Sequence, residues 1–185
     1  MFKELKALSS GFGLIVTTLT FPGVIVHELA HQLMCHICKL KVYAVRYFYP
    51  IAPCGYVIHE ATDDPRKLFL VATGPFFINS GLGAIVVLPA ITRVMLFSDS
   101  HNPLMLVLAW LGISILMHAF PSKADAKTMM QGILKNKKVG IVPKLLTAPV
   151  VGLIYLGAIG SVYWLDLIYA VAVARILPDL LVRLF

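Results

Sequence analysis

The chain has 185 residues, 59% of them hydrophobic and only 14% charged, with a formal net charge of +7. A soluble domain is nearer half apolar and a quarter charged, so the composition argues against a water-soluble globule and fits one integral membrane domain over residues 1–185, without a separate soluble module. The positive charge does not point to nucleic acid, because the basic residues fall in loops between apolar runs, where Lys and Arg set membrane orientation. The three cysteines, Cys35, Cys38 and Cys54, are an odd count and argue against a disulfide scaffold.

Residues 1–10 form a short basic lead-in with a break at Ser9-Ser10-Gly11. The apolar run over residues 11–37 is long enough to cross about 30 Å of hydrocarbon. It is too long for a signal sequence and is expected to stay as the first span. Inside it lies His27-Glu28-Leu29-Ala30-His31, the His-Glu-x-x-His pattern of zinc hydrolases. Four residues apart on a helix, both imidazoles share one face and can share one metal ion. Between residues 11 and 34 these are the only ionisable side chains, and ionisable groups inside a span are costly and usually functional. At about 1.5 Å per residue, His27 lies about 24 Å into the span, near its far end.

Residues 39–60 change character. The run Lys41-Val42-Tyr43-Ala44-Val45-Arg46-Tyr47-Phe48-Tyr49 is β-branched and aromatic, Pro50, Pro53 and Gly55 break it, and Tyr56-Val57-Ile58-His59 follows. The pattern predicts two short strands around a turn, or a re-entrant hairpin. A second span is expected over residues 67–91, with Gly74-Pro75 and Asn79 inside it, and a third over 104–120, ending in His118, Pro121 and Asp125. A basic loop precedes a fourth span over 144–164. Residues 166–185 carry Arg175, Asp179 and Arg183 on one stripe and read as an interfacial helix or a fifth span. The expected fold is therefore an all-α polytopic membrane protein of four to five transmembrane helices, with a small β element between the first and second.

Loops 39–67 and 122–144 fall on one side of the bilayer. They hold eleven of the sixteen basic residues, which makes that side cytoplasmic and the N-terminus non-cytoplasmic. An even number of crossings separates the histidine pair from Asp125, so a carboxylate arrives at the depth of the two imidazoles. A catalytic zinc uses three protein ligands and keeps one position open. Asp125 completes such a set with His27 and His31, with His118 as its rival. Glu28 stands where a carboxylate can act as general base. Cys35 and Cys38 can extend the metal face, but a thiolate-rich closed site would be structural. Asn79 and His118 are candidates for substrate or oxyanion support, with an interhelical hydrogen bond the favoured reading of Asn79. An exposed edge of the strand pair offers a surface for an extended peptide.

These features resemble the site-2 protease family of intramembrane zinc metalloproteases. The resemblance covers residues 11–130. It rests on His27-Glu28-Leu29-Ala30-His31, on Gly55-Tyr56-Val57 after a strand, on Gly74-Pro75 with Asn79, and on Pro121 with Asp125. It implies zinc held by His27, His31 and Asp125, with Glu28 as the catalytic base. His118 stands where the family usually has Asn, and Ala126 where it has Gly. The expected activity is hydrolysis of a peptide bond in or near a transmembrane segment of a membrane-protein substrate, in the lipid bilayer. The rival expectations are a metal-binding transporter and a scaffold for transmembrane helices.

Overall fold

The computed structural model describes residues 11, 13–97 and 102–184, so the lead-in over 1–10 and residues 98–101 of the connection between the second and third expected spans lie outside the described residues. The chain is mostly helical with one two-stranded sheet.

The expected first span is two helices, α1 (Gly13–Leu19) and α2 (Phe21–Ile37), bent by 81°. The break has a local cause. Pro22 lacks an N–H and suits the first turn of a helix better than its interior. The neighbouring helix satisfies the backbone groups freed there: Ser114 Oγ donates to Thr20 O at 2.7 Å and accepts from Gly23 N at 2.9 Å, and Trp110 Nε1 donates to Leu19 O at 3.0 Å. A break at membrane depth is tolerated where protein groups re-satisfy the backbone.

α2 stops in a Schellman motif. Lys39 takes a left-handed φ of 54°, Leu40 N bonds Cys35 O and Lys39 N bonds His36 O. This turn sends the chain into β1 (Val42–Arg46), which pairs antiparallel with β2 (Tyr56–His59). Val42 and Val57 pack on Cys35, Cys38, Leu40 and Val71, fixing the hairpin against α2 and α3.

α3 (Pro65–Phe97) has 33 residues and contains Pro75 and Pro89. α4 (Pro103–Met117) is capped by Asn102, whose side chain accepts from Leu104 N. At Gly112 a Cβ would lie 2.5 Å from that of Val87, so the missing side chain lets α3 and α4 close together. After Pro121 comes α5 (Lys123–Met129), opened by a capping box between Ser122 and Asp125 and continued by a π-helical turn over Met130–Leu134. α6 (Ile141–Gly160) packs on α5 and this turn through Val151, Ile154 and Ala158. α7 (Leu165–Leu184) lays Ala170 and Ala174 against Val87, Leu116 and Met117.

Among the described residues two helices, Pro65–Val94 within α3 and α6, are long and apolar enough to cross a membrane, and a third crossing results if α1 and α2 count as one bent span. α4 is apolar but has only 15 residues, short of the ~20 that a crossing takes.

Candidate metal centre

The centre is built where α2, α3, the end of α4 and the start of α5 meet. His27 and His31 lie one turn apart on α2, both buried. His27 Nδ1 donates to the carbonyl oxygen of His118 at 2.7 Å, and His31 Nδ1 to that of Val71 at 3.0 Å. Each ring is thereby fixed in the tautomer whose Nε2 carries the lone pair, as metal-binding histidines usually are.

Both acceptor carbonyls are free for a sequence-encoded reason. Pro75 has no N–H to offer the carbonyl four residues earlier, which is that of Val71. His118 follows the last turn of α4, and the N–H four residues later, on Ser122, is spent on Asp125.

The two Nε2 atoms are 3.2 Å apart, and His31 Nε2 is 3.5 Å from Asp125 Oδ2. The three ligand atoms lie within 4.8 Å of one another. Three lone pairs at this separation repel unless a metal ion or a shared proton lies among them. Two nitrogens bound tetrahedrally at about 2.05 Å from zinc stand about 3.3 Å apart, so the spacing fits a metal ion. Asp125 is aimed by the α5 capping box, its Oδ2 accepting from Ser122 N at 3.0 Å and Ser122 Oγ at 2.5 Å. Burial pushes its carboxyl up, but the His31 ring and Ser122 outweigh this and hold it well below the usual carboxylate range. It stays an anion, as a metal ligand must.

Glu28, also buried, faces a cavity of about 590 Å³ lined among others by His27, Cys54, Gly55, His118 and Asp166. The hairpin turn lies on the stem of Glu28. A Cβ at Gly55 would be 2.7 Å from Glu28 Cγ and 2.9 Å from its Oε1, so only glycine allows this approach. Cys54 lines the same cavity, but burial pushes its thiol up, away from the nucleophilic thiolate.

The other candidates are placed as follows. His118 is next to the centre but outside the ligand group. Its Nδ1 bonds Ser114 O at 3.0 Å, and its contribution is the carbonyl that holds His27. Asn79 is fully buried, and its Nδ2 faces the carbonyls of Gly23, Ile115 and His118 at 3.1–3.3 Å, linking α2, α3 and α4. Cys35 and Cys38 belong to the apolar cluster under the hairpin rather than to the ligand group. Sequence reasoning missed the Val71 carbonyl, for which Pro75 four residues on was the available signal, and Ser122, signalled by its three-residue spacing to Asp125.

Comparison with family models, with curated proteins and with solved structures gives no match for this chain.

Proposed function

We propose that this chain is an intramembrane zinc metalloprotease, similar to the site-2 protease family, that hydrolyses a peptide bond in or near a transmembrane segment of a membrane-protein substrate. The observation that carries this reading is the convergence of His27 Nε2, His31 Nε2 and Asp125 Oδ2 beside a buried carboxylate, Glu28, that opens into a cavity. A zinc ion held by the three would supply Lewis acidity to an attacking water and to the scissile carbonyl. Glu28 takes the proton of that water and later gives it to the leaving amine. The carbonyls of Val71 and His118 keep the imidazoles aimed, and Asn79 braces the helices around them. The cavity receives the substrate backbone after its helix has locally unwound, because a helical peptide bond is shielded by its own hydrogen bonds.

In this reading α1–α2, α3 and α4 cross in turn, which puts the hairpin and the α5–α6 loop on the cytoplasmic side, and the segment α6–α7 brings the crossings to the expected four to five. A transporter or a scaffold has no use for a proton acceptor at Glu28, and this separates the readings. Glu28→Gln keeps size and polarity and removes the base. The expected outcome is a folded protein with unchanged zinc content whose cleavage of a tagged transmembrane substrate falls by about 10²–10⁴-fold. Equal cleavage by zinc-loaded wild type and variant would overturn the mechanism.

A further inference from the structure

On the side of α5 away from Asp125, a groove of about 320 Å³ runs between α5 and α6, within the size range of ligand sites. Lys123, Lys127 and Lys135 line it from one side, and Tyr155 and Ile159 from the other. The three lysines share this face because of the π turn. Lys123 and Lys127 are one turn apart. On an uninterrupted α-helix, at about 100° per residue, Lys135 would point about 120° away from Lys123. The segment Met130–Leu134 winds more slowly, closing with Lys135 N on Met130 O at 3.0 Å, and returns Lys135 to the groove. Among the described residues none of the three lysines is in an ion pair. The α6 surface beside them is apolar and open, with Leu156 65% and Ile159 43% exposed.

We propose that this groove binds the headgroup phosphate of an anionic phospholipid, held by Lys123, Lys127 and Lys135, with the acyl chains along Leu156 and Ile159. Basic pockets between membrane helices suit such headgroups, and lysine binds phosphate as a point charge. A soluble phosphate would meet the same ammonium groups. The apolar α6 surface is what favours the lipid. Lys123 also lines the cavity in front of Glu28, and Asp125 lies on the same seven-residue helix, so an occupied groove holds in place the helix that completes the metal centre. The proposal rests on the membrane setting and not on the protease reading.

The test is native mass spectrometry of the full chain released from nanodiscs of mixed phosphatidylglycerol and phosphatidylcholine. The expected result is at least about tenfold enrichment of retained phosphatidylglycerol, since each lysine near the surface adds its own attraction to an anionic headgroup. The triple variant Lys123→Gln, Lys127→Gln, Lys135→Gln should lose the enrichment, and the corresponding triple Arg variant should keep it. Lys137→Gln, Lys138→Gln, Lys144→Gln removes the same charge outside the groove and should leave it unchanged. Enrichment that survives in the groove variant, or that disappears equally in the control, overturns the site. Displacement of the lipid by inorganic phosphate at equal concentration would make it a soluble-anion site and overturn the lipid assignment.

Discussion

The imidazole Nδ1 of His27 donates to the main-chain carbonyl of His118 at 2.7 Å, so one histidine is held by the backbone of another while the second histidine's own ring turns to Ser114. A side-chain change at His118 keeps that carbonyl. His118→Asn is therefore expected to leave zinc affinity within about threefold of wild type, below the 10–100-fold typical of losing an outer-shell partner. Chelator competition measures this. A loss as deep as that of Asp125→Ala would make the His118 ring itself a ligand.

Pro75 acts on the centre through what it lacks. Pro75→Ala would place an N–H four residues beyond Val71 and give that carbonyl a second donor beside His31. The expected outcome is metal binding weakened by about tenfold or more, with helical content equal to or above wild type by circular dichroism, because the helix gains a bond. Unchanged metal affinity would show that the Val71 carbonyl serves both donors without cost.

Asp125→Ala removes one of three ligand atoms and is expected to leave the purified protein with little zinc, whereas Cys35→Ser and Cys38→Ser should leave zinc content unchanged. The pH dependence follows from the lowered carboxyl. A group whose folded value is depressed contributes stability that is fully present above its ordinary value, 3.8 for Asp125, and lost only as pH falls through the lower folded value. Acid release of the metal should therefore be governed by protonation of the two rings. Release should take up about two protons, one for each ring, in metal content followed against pH, and a one-proton step in the ordinary carboxylate range near about pH 4 would contradict this ligand chemistry.

Sidedness is open to direct labelling. In a background without native cysteines, Ser100→Cys should react with an impermeant thiol reagent applied outside intact cells, and Lys137→Cys should not. Labelling of position 137 from outside would reverse the orientation.

The parts of the site that were legible in the sequence are those carried by side chains at short spacing or by parity. His27, Glu28 and His31 sit within five residues, and Asp125 followed from counting crossings. The hairpin was legible in its β-branched runs and in Pro50, Pro53 and Gly55. The bend at Thr20 was not, because residues 11–37 are uniformly apolar and Pro22 is as acceptable at the first turn of a new helix as at a kink. The carbonyls of Val71 and His118 carry no side-chain signature of their own. Asn79 reads alike as an oxyanion donor and as a brace until the three carbonyls around it are placed. The π turn was hidden because Met130, Gln131, Ile133 and Leu134 are ordinary helix formers and the single Gly132 signals no particular winding.

The bend in the first span also sets the height of the protein in lipid. α2 has 17 residues and α4 has 15, about 26 and 22 Å at 1.5 Å per residue, while the adjacent α3 has 33. Two short helices joined by Ser114 and Gly23 therefore form a low wall beside a tall one. In the proposed membrane setting, hydrophobic mismatch on that wall would be relieved by local thinning of the bilayer, which would lower the headgroup layer toward the depth of Glu28 and shorten the path of water to it. Longer acyl chains resist such thinning, so the thickness of the host membrane becomes a control on how wet the buried carboxylate is.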